Sequence, residues 1–578
     1  MCDTCKEFVD FRSSTFLQKK IQQSSYIYRQ TWTMVYIVGI GTHSDVIKGI
    51  LPASQETSVI SIEDFMKQLS TFQPEDKFIC ALGDNAKRME VVQKSYPTIQ
   101  PTQWINAVHI SAVIADNIQL GRGNVICAGA VVQTQAQIGN HCIINTHASI
   151  DHHCKISDFV HVAPNVAVCG SVQIGEGSFV ATSSSVMPKL ILAPWSFIKA
   201  GTLVKHSTGP IAMYQPYIKD SFTNDIKMVA DAGALTSATP YHSFVKKSEE
   251  LLCKTLGCKY AILMNNGTSS THCLFLALKH KYPHIGKIYV PNHVYVAVWN
   301  TALYEYNPDQ LEVLPVDSRT LNMPEDETFL HTLQPHSALV VVHNVGNVIH
   351  IPRIQALRPD LVIVEDNCEG LFGKHGTSFT GTKSFCSSVS FFANKTITCG
   401  EGGAFMTNDE DTYKYIRKVH SQGMTSERYV HDVLGYNYRI TNIQAAFLYP
   451  QIVEYKSIIE KKRALFALYK SLINHPNVKW IESQPDTESS SWMMILRIRN
   501  SNYRDMFAFF EKRYIETRPF FYDIHRHKHL QSIPVPEGTR SPLLNPDELV
   551  MLPSYPTLEI PQVAYLSRMV NEYAQSLM

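Results

Sequence analysis

Two stretches in the second half of the chain carry side chains that could do covalent chemistry together. The stretch DLVIVEDNCEGLFG is an apolar strand that ends in Glu365 and Asp366, and open α/β sheets place their ligands at such strand ends. The stretch SVSFFANKTITCGEGG carries one lysine, Lys395, before a glycine-rich turn. A lysine that forms a Schiff base and an acid that pairs with a pyridine nitrogen are what pyridoxal phosphate requires. Either stretch alone is more often structural.

The first half of the chain is dominated by a six-residue repeat. Leu, Ile or Val occupies every sixth position from Val108 to Val204. A solenoid of triangular coils explains this period, because each hexad forms one side and its aliphatic residue points inward. Small or aliphatic residues fill a second inward slot two positions earlier, and Asn124 is an exception there.

The repeat decides how the stretch ASIDHHCKIS, with two histidines beside a cysteine, is interpreted. In the register of the solenoid Cys154 points inward, whereas His152 and His153 point outward. The three side chains therefore cannot share a metal ion, although either histidine alone could be an exposed residue without a role. We expect no metal site here.

The stretch HHCKISDFVHVAP inside the repeat resembles the sugar N-acetyltransferases of the bacillosamine and sialic-acid type, and the resemblance covers residues 34–207. It implies a left-handed parallel β-helix over residues 106–207. It also implies that His152 is the general base, which takes a proton from an acceptor amine as the amine attacks acetyl-CoA. Contacts to acetyl-CoA are implied for His161, Gly170, Thr182 and Ala200. The Gly170 N–H would face the thioester oxygen.

One position departs from that resemblance. The acidic residue that usually follows the base is replaced by His153, and a second imidazole supplies no fixed negative charge. Either Asp151 or Asp158 takes over this role, or acetyl transfer is slower. The alternative is a catalytically silent module that binds a nucleotide-sugar and forms trimers.

Residues 34–105 are expected to form a small Rossmann-like α/β domain. In MVYIVGIGTHSDV a strand, a glycine loop and a helix follow one another, and backbone amides at such a turn can hold a phosphate. As a dinucleotide fingerprint the motif is weak, because Ser44 replaces the third glycine. The resemblance implies contacts to a nucleotide-sugar from Gly41, Thr42, His43 and Gly83. The stretch LPASQETSVISIEDF is expected to be too short for the usual second strand with its acidic residues.

After KHSTGP the period stops, and helical and strand-like segments alternate, which predicts an α/β fold with a mostly parallel sheet. Residues 208–578 contain the motifs NKTIT and GEGG, and through them resemble the DegT-like, fold-type-I sugar aminotransferases. The resemblance is nearest to the perosamine and viosamine type. A small C-terminal subdomain is expected from residue 455 onward. Members that replace the lysine act as dehydratases, so Lys395 favours transamination. The resemblance implies L-glutamate as the amino donor.

The same resemblance implies how pyridoxal phosphate is held, with Lys395 carrying the Schiff base. The implied contacts are Thr268, Ser269 and Ser390 for the phosphate, Tyr295 and Glu369 for the ring and its hydroxyl, Asp366 for the ring nitrogen, and Asn437 for the phosphate in a neighbouring subunit. A helix N-terminus at Thr268 would favour the phosphate. Departures from the family pattern occur at Asn292, His293 and Asn367.

The two implied activities are consecutive, because transamination produces the amine that acetylation needs. We therefore expect a bifunctional enzyme that makes a nucleotide-linked 4-acetamido-4,6-dideoxy sugar, and fusion raises the local concentration of the intermediate. The same reactions on a 3-keto or a 2-acetamido sugar are the alternative, and UDP, dTDP and GDP all remain open. Because the first half resembles trimers and the second dimers, a hexamer is expected.

The composition excludes some function classes. Lys and Arg number 52 against 51 Asp and Glu, so nucleic acid is not an implied partner. Residues 1–33, an extension of unassigned role, are interrupted by charges, and the chain has no long apolar run, so a cytoplasmic protein without a membrane partner is expected. The 13 cysteines lack framework spacing, which is typical of reduced thiols. Cys2 and Cys5 could be half of a zinc site, but no second pair lies nearby.

Overall fold

The computed structural model describes residues 34–238, 243–536 and 544–578. The chain divides into two compact units, Met1–Ile211 and Ala212–Met578, and each has hydrophobic cores of its own. The expectations for residues 1–33, including the pair Cys2 and Cys5, lie outside the described residues. Within the described ranges, no helix has the length and apolar character needed to cross a membrane.

The first unit begins with a small parallel sheet. Its elements are β1 (Val35–Val38), α1 (Thr42–Ile50), β2 (Thr57–Ile60), α2 (Ile62–Lys67), β3 (Lys77–Cys80) and α3 (Asn85–Ser95). The strand order is β2-β1-β3. The expectation that the segment before α2 is too short for a second strand was wrong, because Thr57 pairs with Val35 and the ladder continues to Ile60. β2 carries no acidic residue, and Ser61 after it caps α2.

The rest of the first unit is a solenoid of short parallel strands. It contains seventeen two-residue strands, from β4 (Ala107–Val108) to β20 (Leu203–Val204), and each begins six residues after the one before. Residues eighteen apart pair with each other, which produces parallel sheets of six, six and five strands. Eighteen residues therefore complete one triangular coil, which is consistent with the β-helix expected from the repeat.

The interior of the solenoid follows the register expected from the sequence. Cys154 is fully buried, whereas the two histidines before it are exposed. Asn124, the exception in the second inward slot, is also fully buried, because its amide pairs with adjacent coils. Its Nδ2 donates to Gly139 O at 2.9 Å, and its Oδ1 accepts from the Cys142 N–H at 2.7 Å. A polar side chain is tolerated inside the stack because both ends of its amide are satisfied.

Arg88, on α3, joins the small sheet to the solenoid. Its buried guanidinium donates to Leu82 O at 2.7 Å and to His141 O and Phe159 O at 2.9 Å. Asn85 Oδ1 accepts a further hydrogen bond at 2.7 Å. Burial lowers the pKa of this arginine, and in the described part of the chain no carboxylate forms an ion pair with it. The oxygens that accept its hydrogen bonds are thus carbonyl and amide oxygens.

The second unit is built on a seven-stranded sheet with the order β21-β29-β28-β25-β24-β22-β23. Strands of this unit are β21 (Tyr260–Met264), β22 (Ile288–Pro291), β23 (Leu311–Leu314), β24 (Ala338–Val342), β25 (Val362–Asp366), β26 (Lys374–His375), β27 (Ser378–Phe379), β28 (Cys386–Ser390), β29 (Gly403–Thr407), β30 (Val478–Trp480), β31 (Thr487–Glu488), β32 (Met494–Ile498), β33 (Arg518–Pro519) and β34 (Leu549–Leu552). In the large sheet only the two pairings of β29 are antiparallel. The predicted mostly parallel sheet is confirmed.

Helices cover this sheet and lead into the C-terminal part of the unit. They are α4 (Phe222–Asp231), α5 (Phe244–Leu256), α6 (Gly267–Lys281), α7 (Ala297–Glu305), α8 (Glu327–Leu330), α9 (Ile351–Leu357), α10 (Glu410–Val419), α11 (Asn442–Val453), α12 (Tyr455–Leu472), α13 (Tyr503–Glu511) and α14 (Ile560–Ser576). Two smaller sheets have the orders β27-β26-β31 and β30-β32-β34-β33. Because β21, β25 and β28 run in the same direction, the ends of these strands and the start of α6 meet at one edge of the large sheet.

Candidate active site

A cavity of about 480 Å³ opens at this edge of the second unit. Six of the residues predicted for pyridoxal phosphate chemistry line it, namely Thr268, Tyr295, Asp366, Glu369, Ser390 and Lys395. Ser269 is buried in the first turn of α6, directly behind this lining. Asn437 is not among the lining residues, and its side-chain oxygen accepts from Arg439 Nε at 3.2 Å. The role of Asn437 in a neighbouring subunit stays a prediction.

The start of α6 forms one wall of the cavity. Asn266 caps this fifteen-residue helix, and its Oδ1 accepts from the Ser269 N–H at 2.8 Å. A Cβ on Gly267 would lie only 2.7 Å from the Cβ of Ser390, so glycine allows α6 to begin directly beside the end of β28. Exposed amides and the hydroxyls of Thr268 and Ser390 thus converge, as a phosphate site at a helix N-terminus requires.

Asp366 ends β25 at the cavity wall and is almost fully buried. Its Oδ1 accepts from the Cys368 N–H at 3.0 Å and from Ser388 Oγ at 3.2 Å. These donors fix the carboxylate at the wall of the cavity. A buried, fixed carboxylate is suited to hold a pyridine nitrogen protonated.

The amine of Lys395 lies between an acid and an aromatic ring. Its Nζ is 3.9 Å from Glu369 Oε1 and 3.9 Å from the centroid of the Trp492 indole. The indole Nε1 in turn donates to Asn394 O at 2.9 Å. The Lys395 amine therefore has one neighbour that can exchange a proton and one that restricts its position.

Glu369 is a buried carboxyl group with an unusual proton affinity. Burial raises its pKa to about 7, although the nearby Lys395 amine and the Val345 N–H act in the opposite direction. The Val345 N–H donates to Glu369 Oε2 at 2.8 Å from a turn in which Val345 has φ +51°. A carboxyl group with a pKa close to neutrality can both accept and donate a proton under working conditions.

The lining residues that sequence reasoning missed include Trp492 and Arg518. Arg518 lies in the stretch TRPFFYDIHRH, which was assigned only to the C-terminal part of the fold. The available signal was a cationic residue inside a stretch that the family resemblance had already matched. Trp492 has no such signal, because SSSWMMILRI reads as an ordinary buried strand.

The departures at Asn292 and His293 have a structural explanation. Asn292 Nδ2 donates to Asp523 Oδ2 at 2.7 Å, and Asn292 Oδ1 accepts from the Ile524 N–H at 2.9 Å. One ring nitrogen of His293 lies 3.1 Å from Phe521 O. Both residues therefore hold the segment after Arg518 against the loop that carries Tyr295. Asn367 is buried, and neither polar atom of its side chain has a partner in the described chain.

In the first unit, His152 packs directly on Gly170 of the next coil. A Cβ on Gly170 would lie 2.6 Å from both Cε1 and Nε2 of the imidazole. The structure thus brings together the residues predicted as base and oxyanion donor. Thr182 and Ala200 are exposed at another corner of the solenoid, on adjacent coils. No group of three or more metal-ligating side chains converges anywhere in the described ranges.

His161 is placed differently from the other predicted acetyl-CoA contacts. It is buried, and its ring nitrogens lie 3.2 Å from Gly83 O and 3.2 Å from Asn145 Nδ2. Burial and the nearby Arg88 lower its pKa to about 3, so its ring is neutral and donates to Gly83. The ring of His43, whose pKa burial also lowers, lies 6.3 Å from this ring at an interplanar angle of 49°. The predicted nucleotide contacts His43 and Gly83 therefore surround His161, while Gly41 and Thr42 start α1 nearby and are exposed.

The protein family that matches this chain does so within the second unit. The model of the DegT/DnrJ/EryC1/StrS aminotransferase family matches residues 216–571. The chain is 30% identical over 373 residues to a GDP-perosamine synthase from Escherichia coli O157:H7, which covers 63% of this chain and 98% of that protein. A GDP-perosamine synthase from Vibrio cholerae is 29% identical and covers 63% and 99%. The Helicobacter pylori aminotransferase PseC, involved in pseudoaminic acid biosynthesis, has a similar fold, with a TM-score of 0.58, 20% identity and coverage of 64% of this chain and 100% of its own.

Proposed function

Because the chain belongs to the DegT/DnrJ/EryC1/StrS aminotransferase family, we propose that its second unit transfers an amino group to the keto carbon of a GDP-linked 4-keto-6-deoxy sugar. The observation that carries this proposal is the convergence of Lys395, Asp366 and the start of α6 in one cavity. The two relatives named above support the GDP-linked substrate, and glutamate is the proposed amino donor.

The residues of the cavity fit pyridoxal phosphate. When bound, this cofactor supplies the electron sink for carbon–hydrogen bond breaking next to the nitrogen. Thr268, Ser390 and the amides that open α6 would hold the phosphate, and Asp366 would keep the ring nitrogen protonated. The close approach of Gly267 to Ser390 supports this placement of the phosphate, because it brings the start of α6 beside the Ser390 hydroxyl.

Each half-reaction needs a proton to leave one carbon and arrive at another. Lys395 Nζ is the group proposed to carry this proton, first from the donor amino acid and later to the sugar carbon. Glu369 Oε1, 3.9 Å away, can take up a proton from Nζ or return one. Trp492 restricts the position of the amine, because its ring centroid lies 3.9 Å from Nζ.

The substrates proposed for this site are anions, and the cavity is lined by one cationic residue in addition to Lys395 that can bind them. Besides Lys395, Arg518 is the only cationic residue among those that line the cavity in the described chain. Its guanidinium keeps a surface ion pair with Glu516 at 3.3 Å, with about 42% of the side chain exposed, so it remains accessible. We infer that Arg518 contacts the substrate rather than the cofactor phosphate, which has its own cradle at α6.

For the first unit we propose acetyl-CoA-dependent N-acetylation of the amino sugar. The contact between His152 and Gly170 supports this, because the base and the amide that faces the thioester oxygen are adjacent. The product would be a nucleotide-linked 4-acetamido-4,6-dideoxy sugar. A catalytically silent sugar-binding unit, or the same reactions on a 3-keto or 2-acetamido sugar, remain the competing proposals. Assembly as a hexamer stays a prediction, and a light-scattering mass of two or three chains would contradict it.

A one-pot reaction followed by mass spectrometry tests both halves. It contains the full chain, pyridoxal phosphate, glutamate, acetyl-CoA and GDP-, UDP- or dTDP-linked 4-keto-6-deoxy sugars in separate tubes. We expect an acetamido product with the GDP-linked sugar. Lys395→Arg should prevent any amine from forming, whereas His152→Asn should let the amine accumulate. An amine that is never acetylated by the unmodified chain would favour the silent unit, and no amine from any sugar would refute the proposed substrate class.

A further inference from the structure

The imidazole of His152 has one polar side-chain partner in the described chain, and it is the histidine next to it. His152 Nδ1 lies 3.0 Å from His153 Nδ1, with the two rings nearly perpendicular. His153 lies at a corner of the coil, where its backbone is left-handed, with φ +59°. The two nitrogens are close enough to share one proton in a hydrogen bond.

The two carboxylates that could have supported His152 face other donors. Asp151 Oδ1 accepts from the backbone N–H of His152 at 2.8 Å. Asp158 Oδ1 accepts from the Asn140 N–H at 2.7 Å, and the Asn140 amide approaches the same carboxylate. Neither aspartate bonds to the imidazole, so His153 is the remaining candidate for orienting it.

The distance between the two Nδ1 atoms limits where protons can sit. One ring must donate and the other must accept, since two Nδ1–H groups would repel each other and two lone pairs would form no bond. If His152 donates, its Nε2 carries the lone pair. The Nε2 edge of the ring, with Nε2 and Cε1 each 2.6 Å from a Cβ at Gly170, packs where the acceptor amine and the thioester are proposed to meet.

We propose that His153 is a positioning residue that accepts the Nδ1–H of His152 and so keeps Nε2 of His152 available as the base. This inference rests on the proposed N-acetylation. In that reaction the amine nitrogen forms a bond to the acetyl carbon while the carbon–sulfur bond of acetyl-CoA breaks. His152 Nε2 takes the proton that leaves the amine and passes it to the departing thiolate, so that CoA leaves as a thiol.

The proposed pairing of His152 with His153 can be tested with substitutions that tolerate the positive φ at position 153. His153→Gly removes the acceptor without backbone strain, and His153→Asn keeps a neutral acceptor in a residue that tolerates positive φ. Gln135→Gly is the matched control, because Gln135 is exposed at the same corner one coil earlier and has φ +59°. The measurement is the steady-state rate of CoA release with the amino sugar made by the second unit.

We expect His153→Gly to lower kcat about tenfold or more with little change in KM for acetyl-CoA, because the base loses its orientation but not its substrates. His153→Asn should recover most of that loss, and Gln135→Gly should acetylate at the rate of the unmodified chain. If the unmodified chain acetylates and His153→Gly is equally fast, the positioning role is refuted while the proposed function stands. If the unmodified chain releases no CoA with any amino sugar, both are refuted.

Discussion

The Nζ atom of Lys395 lies 3.9 Å from the centroid of the Trp492 indole. The backbone of Trp492 is itself held, because its carbonyl oxygen accepts from Lys462 Nζ at 2.9 Å. Lys462 also donates to Ser554 O at 2.8 Å. A lysine of α12 thus holds the backbone of the residue whose ring covers Lys395, the lysine proposed to carry the cofactor.

Two substitutions of Trp492 should lower the rate of catalysis to different extents. Trp492→Phe keeps an aromatic face over Lys395 but removes the hydrogen bond from Nε1 to Asn394 O, whereas Trp492→Leu removes both. Since a cation–π contact contributes about 0.5–2 kcal/mol, we expect Trp492→Leu to lower kcat by roughly 2- to 30-fold and Trp492→Phe by less. Amine formation from the keto sugar measures this. Equal losses in the two variants would mean that the hydrogen bond, and not the aromatic face, positions the amine.

Lys462 should make the stability of the second unit depend on pH. Burial lowers its pKa to about 7 from an ordinary value of 10.5. Between these values the unfolded chain holds a proton that the folded chain has released, so the free energy of unfolding rises with pH, by at most about 1.4 kcal/mol per pH unit. We expect Lys462→Met to abolish this rise between pH 7 and pH 9, as measured by urea unfolding of the holoenzyme.

A second variant on α12 serves as the control for that experiment. Tyr469 is fully buried and donates from its hydroxyl to Pro553 O at 2.7 Å. Burial raises the pKa of this hydroxyl, so it does not titrate in the folded chain between pH 7 and pH 9. Tyr469→Phe should therefore destabilise the unit by a similar amount at every pH. A pH-dependent difference for both variants, or for neither, would contradict the prediction for Lys462.

Much of the architecture was predictable because it depends on short-range patterns. The six-residue period identifies the residues that point into the solenoid, since every coil repeats the same inward slots. Lys395 and Asp366 could be paired because Asp366 ends one strand and Lys395 follows another, and both strands end at one edge of the sheet. In both cases the spacing along the chain determines the spacing in the fold.

The features that escaped prediction depend on contacts between distant segments or on backbone conformation. Trp492 reaches Lys395 only because β32 and α12 pack beside the cavity, which no local motif encodes. β2 exists because Thr57 finds β1 as a partner, although its own segment is short. The contact between the Nδ1 atoms of His152 and His153 depends on how the two rings are turned at a left-handed corner, which a sequence of two adjacent histidines does not reveal.

Ionisation of Glu369 should make the free energy of unfolding fall as the pH rises, which is opposite to the effect of Lys462. Burial raises its pKa from 4.5 to about 7, so the folded chain keeps a proton that the unfolded chain has lost. Its stabilising contribution is complete below about pH 4.5 and disappears as the pH rises through 7. We expect the free energy of unfolding, relative to Glu369→Gln, to fall by at most about 1.4 kcal/mol per pH unit over that range. The rate of amine formation should also change near pH 7 in the unmodified chain and not in Glu369→Gln.

Gly267→Ala should weaken the binding of pyridoxal phosphate. The new Cβ would lie 2.7 Å from the Cβ of Ser390 and would push the start of α6 away from the end of β28. Overpacking of this kind costs about 1–3 kcal/mol, which corresponds to roughly a 5- to 150-fold higher Kd for the cofactor. Titration of the cofactor-free protein, followed by absorbance, measures it. Gly286→Ala is the control, because no atom lies within 4 Å of a Cβ at Gly286. An unchanged Kd in Gly267→Ala would place the phosphate elsewhere.

Arg88→Met should destabilise the first unit while the second unit is unaffected. The substitution leaves the carbonyl oxygens of Leu82, His141 and Phe159 buried without this donor, and each such loss costs about 1–3 kcal/mol. We expect the calorimetric transition of the first unit to move to lower temperature by several degrees or more. The transition of the second unit can be identified because pyridoxal phosphate stabilises it.

Because Arg88 holds Leu82 O beside Gly83, the acetylation rate of the Arg88→Met variant should fall as well. If the transition that responds to the cofactor shifts instead, the buried guanidinium does not hold the small sheet and the solenoid together.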